Sequence, residues 1–253
     1  MAVDPGEVDR LRVARQDVFD RIAAACARAA RDPAGVALVA VSKTVPAERL
    51  RAAVAAGLTT LGENRVQEAE TKVGAVADAE WHLVGPLQKN KARRALEIFA
   101  TIQSVDSVEL AARLDRIAAE VRPDAPVPVL LEVNIDADPA KSGFAPADLE
   151  RSLGETLGLE RLDVRGLMTI GRLVGRPEEA RPTFAALRDL SARLRAADDR
   201  LGTDLSMGMT DDFEVAVEEG ATIVRVGRAL FGERPHDHGE GPHVHEGGAA
   251  VGH

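Results

Sequence analysis

From about residue 36 to residue 232, short runs of aliphatic and β-branched residues alternate with longer segments rich in Ala, Leu, Arg and Glu. Apolar runs of strand length bounded by turn residues predict strands, and apolar positions returning every three or four residues predict helices. Eight strand-like runs follow: Val36 to Ser42, Thr59 to Gly62, Trp81 to Val84, Thr101 to Ser104, Val127 to Asn134, Val164 to Ile170, Asp204 to Ser206 and Thr222 to Val226. Each leads into a helical segment: Ala47 to Ala56, Gln67 to Val76, Lys89 to Ile98, Ser107 to Val121, Ala147 to Leu157, Glu178 to Ala197, Phe213 to Glu219, and a last one from Ala229. Ahead of them, Val8, Leu11, Val18, Ile22 and Ala25 recur at helical spacing, with Asp4-Pro5 as a start and Asp32-Pro33 as a stop. This predicts an N-terminal helix.

Eight βα units in roughly 200 residues have the size and order of a single-domain (β/α)8 barrel, the TIM-barrel architecture. An open doubly wound sheet produces the same alternation, so pattern alone leaves both. Beyond Gly232 bulky apolar residues almost vanish, and five of the six histidines fall in this Gly-rich stretch. Residues 1–232 are therefore expected to form the domain and 233–253 a flexible His/Gly-rich tail. The histidine spacing there matches no structural zinc site, and no metal is assigned.

Charge and composition narrow the function classes. A net charge of -9 disfavours nucleic acid and anionic membranes as partners. The longest apolar runs fall short of the about 18 residues that a membrane-spanning helix requires. Cys26 has no second cysteine to pair with, and MAVDPGEVDRLRVARQ carries charges where a signal peptide needs an apolar run. A cytoplasmic protein is expected, monomeric by default since no apolar surface stripe is evident. The chain contains no tyrosine, so any mechanism that needs a phenol is excluded.

In a βα barrel, functional side chains gather where the strands end. The first strand ends in VAVSKTVP, placing Lys43 at the mouth. A lysine there either snorkels to solvent or, set against an apolar wall, serves as a Schiff-base amine. The seventh strand runs into LSMGMTDDFEVAVEEG and the eighth into IVRVGRALFG, each meeting a helix through a loop with Gly208 or Gly227. Loops after strands 7 and 8 commonly hold phosphate in barrels, though each glycine could simply serve a tight turn. Arg225 could form a buried ion pair across the barrel. His82 beside Trp81 reads as a structural residue, and Lys89, Lys91, Arg93 and Arg94 as a solvated helix face. Lys141 ranks as a second candidate amine on a flexible loop, and Met207 and Met209 as loop packing.

The segments VAVSKTVP, LGENRVQE, WHLVGPLQKNK, EVNIDADPAKSGF, RGLMTIG, LSMGMTDDFEVAVEEGAT and VRVGRALFG run in order from Val39 to Gly232. Together they resemble the pyridoxal phosphate homeostasis protein family, a stand-alone relative of the alanine racemase N-terminal barrel. The resemblance implies that pyridoxal 5'-phosphate (PLP) is held as an internal aldimine on Lys43, with Asn64 near its ring. It further implies that Ser206 and the backbone of Met207 and Gly208 hold the phosphate with Gly227 and Arg228, and that Arg225 faces the pyridine nitrogen. Thr210 stands where the family often has serine, and Arg228 departs from the family's usual choice, which affects side-chain contacts only. An arginine cannot accept the ring's proton, so the bound ring is a weak electron sink. The implied role is intracellular PLP homeostasis without turnover, with PLP-dependent apoenzymes as partners. Two alternatives stand beside it. A racemase-like enzyme of low activity would lack the tyrosine and the extra β domain of its relative, and an aldolase-like barrel would form its Schiff base with a sugar phosphate.

Overall fold

The chain starts its first helix where Asp4 and Pro5 predict: the Asp4 carboxylate accepts from the Gly6 N–H, and α1 runs over Pro5–Arg28. The computed structural model describes residues 3–172 and 174–233. The remainder follows in strict alternation: β1 (Ala37–Val41), α2 (Ala47–Ala55), β2 (Thr60–Glu63), α3 (Val66–Val73), β3 (Glu80–Leu83), α4 (Ala92–Ile98), β4 (Thr101–Val105) and α5 (Val108–Val121). The second half is β5 (Val127–Glu132), α6 (Pro146–Leu157), β6 (Leu162–Met168), α7 (Arg181–Ala197), β7 (Asp204–Ser206), α8 (Phe213–Glu218), β8 (Ile223–Val226) and α9 (Arg228–Phe231). The eight strands are parallel and ordered β1 to β8, and β8 pairs back onto β1, with Val39 opposite Arg225. This closure removes the doubly wound alternative.

Strand ends deviate by a residue or two because ladder pairing, rather than apolar character, sets them. Leu162 joins β6 by pairing with Val127, whereas Val133 leaves β5 to bridge to Phe144 in the following loop. The segments from Lys89 and from Glu178 open as 3-10 turns before becoming α4 and α7. α1 packs on α2, α8 and α9, and its outer residues reach α8 through ion pairs of Arg21 with Glu214 and Arg28 with Glu218. The predicted tail from residue 234 onward lies outside the described residues.

Strand side chains alternate between two layers. Ala40, Leu61, Leu83, Leu131, Leu167, Leu205, Val224 and Val226 join the large apolar core between sheet and helices. Val39, Val84, Leu130, Met168 and Ile223 form a small separate cluster inside the barrel. The same alternation sends buried polar groups inward: His82, Gln103, Glu132, Ser206 and Arg225. The Glu132 carboxyl is raised to about 7, chiefly by burial and further by Asp106, with Arg225 opposing, and among the described residues its Oε2 has no hydrogen-bond partner.

An unfolded glutamate ionises near its ordinary 4.5. The raised folded value therefore contributes stability that is complete below about 4.5 and is lost as pH rises through about 7. Glu132→Gln removes this dependence. Relative to the parent protein, its unfolding free energy should rise between about pH 5 and pH 8, by on the order of 3 kcal/mol at most. Denaturant titrations at the two pH values check this, and a gap that stays constant with pH contradicts it.

Candidate functional site

Lys43 lies just past β1 and continues the inward alternation of Val39 and Val41. The backbone on both sides of it is clamped. Ser42, fully buried, donates its N–H to Gly62 O and its hydroxyl to Glu63 Oε1 at 2.7 Å. Lys72 Nζ, from α3, donates to Ser42 O at 2.9 Å and to Glu63 Oε1 and Glu68 Oε1, both at 2.7 Å. The Glu68 carboxylate also accepts from the Thr44 N–H. Thr44 has φ of 67°, a left-handed conformation that a β-branched residue adopts only when its surroundings impose it. Lys43 is thus presented between two residues tied to one buried charge cluster.

The two carboxyls of this cluster are shifted in opposite directions. Burial pushes the Glu63 carboxyl up against the opposing Lys72 and Ser42 hydrogen bonds. Glu68 is subject to a similar burial effect, but Lys72, the Thr44 N–H and Arg65 outweigh it and hold that carboxyl below its ordinary value. Glu63, Glu68 and Lys72 were missed as site residues, although Glu63 and Glu68 lie in LGENRVQE and Lys72 follows Glu68 at helical i,i+4 spacing.

Beneath the mouth, Arg225 of β8 is buried and donates from Nη1 to Ser206 Oγ at 2.6 Å and from Nη2 to Thr169 O at 2.8 Å. Burial pulls it down to about 10, with Glu132 and Asp212 opposing, so it remains a cation at neutral pH. Among the described residues its hydrogen-bond partners are a hydroxyl and a carbonyl, which sets aside the direct ion pair. Ser206 donates onward to Gln103 Oε1 at 2.6 Å, and the Met207 N–H donates to Ile223 O at 3.1 Å. The hydroxyl of Ser206 and the amide of Met207 therefore have other partners than the phosphate expected of them.

The remaining phosphate candidates sit higher. Gly208 has φ of 90°, and a Cβ there would come within 2.5 Å of Ala216 Cβ and 2.9 Å of Phe213 Cα, so its glycine serves the turn itself. Gly227 is different: its φ is -117°, and a Cβ would meet Val41 O at an ordinary 3.4 Å. The Gly227 N–H donates to Thr210 Oγ1 at 3.3 Å, joining the loops after β7 and β8. Lys43, Gly227 and Arg228 line one cavity of about 140 Å³ with Val41, Val45 and Phe231. Arg228 is paired with Asp211 and, at 3.6 Å, with Glu233. Asn64 borders a neighbouring recess with Arg65 and Lys91.

Lys141 reaches the mouth from the β5–α6 loop and donates to Ile170 O at 3.2 Å. That loop is tied down, since the Asn134 amide donates to Asp138 O at 2.8 Å and the Phe144 N–H to Glu132 O at 2.7 Å. Lys89, Arg93 and Arg94 form surface ion pairs with Glu109, Glu120, and Glu70 and Glu97 respectively. Among the described residues no group of three His, Cys, Asp or Glu could hold a metal, and no helix is long and apolar enough to cross a membrane.

Residues 18–235 match the family model described as alanine racemase, N-terminal domain. The pyridoxal phosphate homeostasis protein of Pseudomonas aeruginosa is 46% identical over 222 residues, 86% of this chain and 93% of that protein. The protein of the same name from Aquifex aeolicus is 42% identical over 219 residues, 86% of this chain and 95% of that one. Among solved structures, PipY of Synechococcus elongatus with PLP bound superposes with a TM-score of 0.74 at 43% identity, covering 85% of this chain and all (100%) of that one. The chain belongs to the family of pyridoxal phosphate homeostasis proteins, built on the alanine racemase N-terminal domain.

Proposed function

We propose that this protein binds pyridoxal phosphate and serves its homeostasis, with the cofactor's aldehyde carbon bonded to Lys43 Nζ and its phosphate seated by the loops after β7 and β8. The observation that carries this reading is that an inward-facing amine, Lys43, shares a cavity with Gly227. Among the described residues a Cβ at 227 would make only ordinary contacts with Val41, and its absence leaves room for a ligand to approach the backbone. Gly208, the Thr210 hydroxyl, Gly227 and Arg228 supply the phosphate side, and Asn64 stands beside the ring. When bound, pyridoxal phosphate supplies an aldehyde that condenses with amines and a ring that withdraws electrons.

The chain's own residues favour holding over turnover. The charge cluster around Lys72 fixes the backbone on both sides of Lys43, which lowers the ordering cost of binding. Arg225 is a donor without a proton to gain, so opposite the ring nitrogen it favours the unprotonated ring. Racemisation needs an acid or base on each face of the substrate, and the chain has no tyrosine to supply one. On this reading the protein is a cytoplasmic monomer whose recipients are PLP-dependent apoenzymes, and its net charge of -9 disfavours nucleic acid and anionic lipid.

Purified protein incubated with pyridoxal phosphate should gain a visible absorbance band, and borohydride should then fix a phosphopyridoxyl group on the peptide containing Lys43. Lys43→Ala should lose both signals, while a label found only on Lys141 or Lys72 sinks the assignment. The two glycines separate by phenotype. Gly208→Ala should lower stability by about 2–4 kcal/mol in denaturant titration, because it forces a left-handed alanine into Ala216 and Phe213. Gly227→Ala should fold with near-parental stability yet bind pyridoxal phosphate at least ~10-fold more weakly by fluorescence titration. Unchanged affinity would remove Gly227 from the phosphate site.

A further inference from the structure

Four hydrogen bonds join the cation beneath the mouth to the opposite end of the barrel. Arg225 Nη1 meets Ser206 Oγ at 2.6 Å, and Ser206 Oγ meets Gln103 Oε1 at 2.6 Å. Gln103 Nε2 lies 2.9 Å from His82 Nδ1, and His82 Nε2 lies 2.7 Å from Glu80 Oε1. Gln103 and Ser206 are fully buried, Arg225 and His82 nearly so. His82 borders a second cavity, at the N-terminal ends of the strands, together with the exposed Glu80 and Arg165 and the half-buried Asp204.

Valence fixes the direction of every bond. A guanidinium only donates and an ionised carboxylate only accepts. Ser206 therefore accepts from Arg225 and gives its single hydrogen to the Gln103 carbonyl. The Gln103 amide group donates to Nδ1 of His82, which must carry no proton, and Nε2–H donates to Glu80. All donors point from Arg225 toward Glu80, an arrangement in which each bond polarises the next. A second proton on His82 makes Nδ1 a donor. The bond to Gln103 then survives only if that amide turns over and presents its NH2 to Ser206. Ser206 would accept from both Arg225 and Gln103, and its own hydrogen would leave the chain. The side-chain amide of Gln103 thus has two self-consistent orientations, and the charge of His82 selects between them.

We propose that Gln103 and His82 are positioning residues for Arg225: the one-way chain orients the guanidinium, and protonation of His82 from the far end of the barrel alters the environment of a ring bound against it. The last clause rests on the reading that Arg225 faces the ring nitrogen of pyridoxal phosphate. Burial holds His82 below its ordinary value, with the Glu80 hydrogen bond opposing, so the donor-aligned state is the one at neutral pH. The charged groups around His82 are few. On its own strand stands Glu80; from β6 comes Arg165, paired with Asp163, and from β7 Asp204, which accepts from Thr222 Oγ1. Its cross-strand neighbours Gly62 and Thr101 carry no charge, and on its inner side it meets the neutral Gln103.

The test has two arms. In unloaded protein, NMR should show the Gln103 side-chain amide resonances shifting with the same midpoint as the His82 ring, at a pH below that of an ordinary histidine. In protein loaded with pyridoxal phosphate, the visible band should shift at the midpoint that His82 shows in the loaded form. Gln103→Leu should abolish that spectral shift while His82 still titrates, and His82→Phe should abolish it altogether. Gln103→Met and His82→Asn serve if the first variants do not fold. A Gln103 amide that ignores His82, or a spectral shift that survives in the Gln103 variant, overturns the inference. Absence of a Lys43 label in the parent protein would instead defeat the binding reading, and the amide coupling in unloaded protein would still decide the switch.

Discussion

Everything at the candidate site depends on the pairing of β8 with β1. Ala37 to Ala40 lie opposite Ile223 to Val226 in parallel register, which closes the barrel and sets Val39 against Arg225. Since successive strand residues face opposite sides, that one register decides that Lys43 and Arg225 both turn inward, the lysine above and the guanidinium below. A slip by one residue would send Arg225 into the apolar layer and Val224 into the interior. The lysine, the glycine at 227 and the arginine come from opposite ends of the chain, and closure brings them together.

Two buried charge systems surround this point, and they solve the same problem differently. The cluster of Lys72, Glu63 and Glu68 sits between strands and helices, where opposite charges in contact neutralise one another. Such a cluster does not guarantee net stability, because desolvating the ions offsets much of their attraction. Its hydrogen bonds to Ser42 and Thr44 give it a geometric role instead, holding Thr44 in its left-handed conformation. It also engages the Lys72 ammonium in three hydrogen bonds. Among the described residues Arg225 has no such partner in contact. Neutral acceptors hold it, and Glu132 and Asp212 act on it only through space. A cation solvated by dipoles rather than paired keeps its field available to a ligand above it.

The barrel was legible because its cause is local. Strand-length apolar runs bounded by turns alternate with helical segments eight times, and Asp4, Pro5 and Ser107 stand at the starts of two helices where their side chains or ring belong. Lys43 was legible for a similar reason, as a charged residue closing an apolar strand. Ser206 and Met207 show where such reading stops. Both lie in the loop-forming segment that suggested phosphate, but their hydrogen bonds go to Gln103, Arg225 and Ile223, residues distant in sequence.

The sequence alone determined the alternation of elements, the position of the lysine and the absence of a tyrosine, because these follow from spacing and composition. Tertiary structure decided that the sheet closes, that Gly208 serves its turn whereas Gly227 faces a cavity, and that Arg225 is joined to His82 across the interior. Those outcomes depend on strand register and on which polar atoms meet once water is excluded. The closing strands pair Ala37 with Ile223 and the interior chain joins Ser206 to Gln103, relations between residues 186 and 103 positions apart that no local pattern encodes.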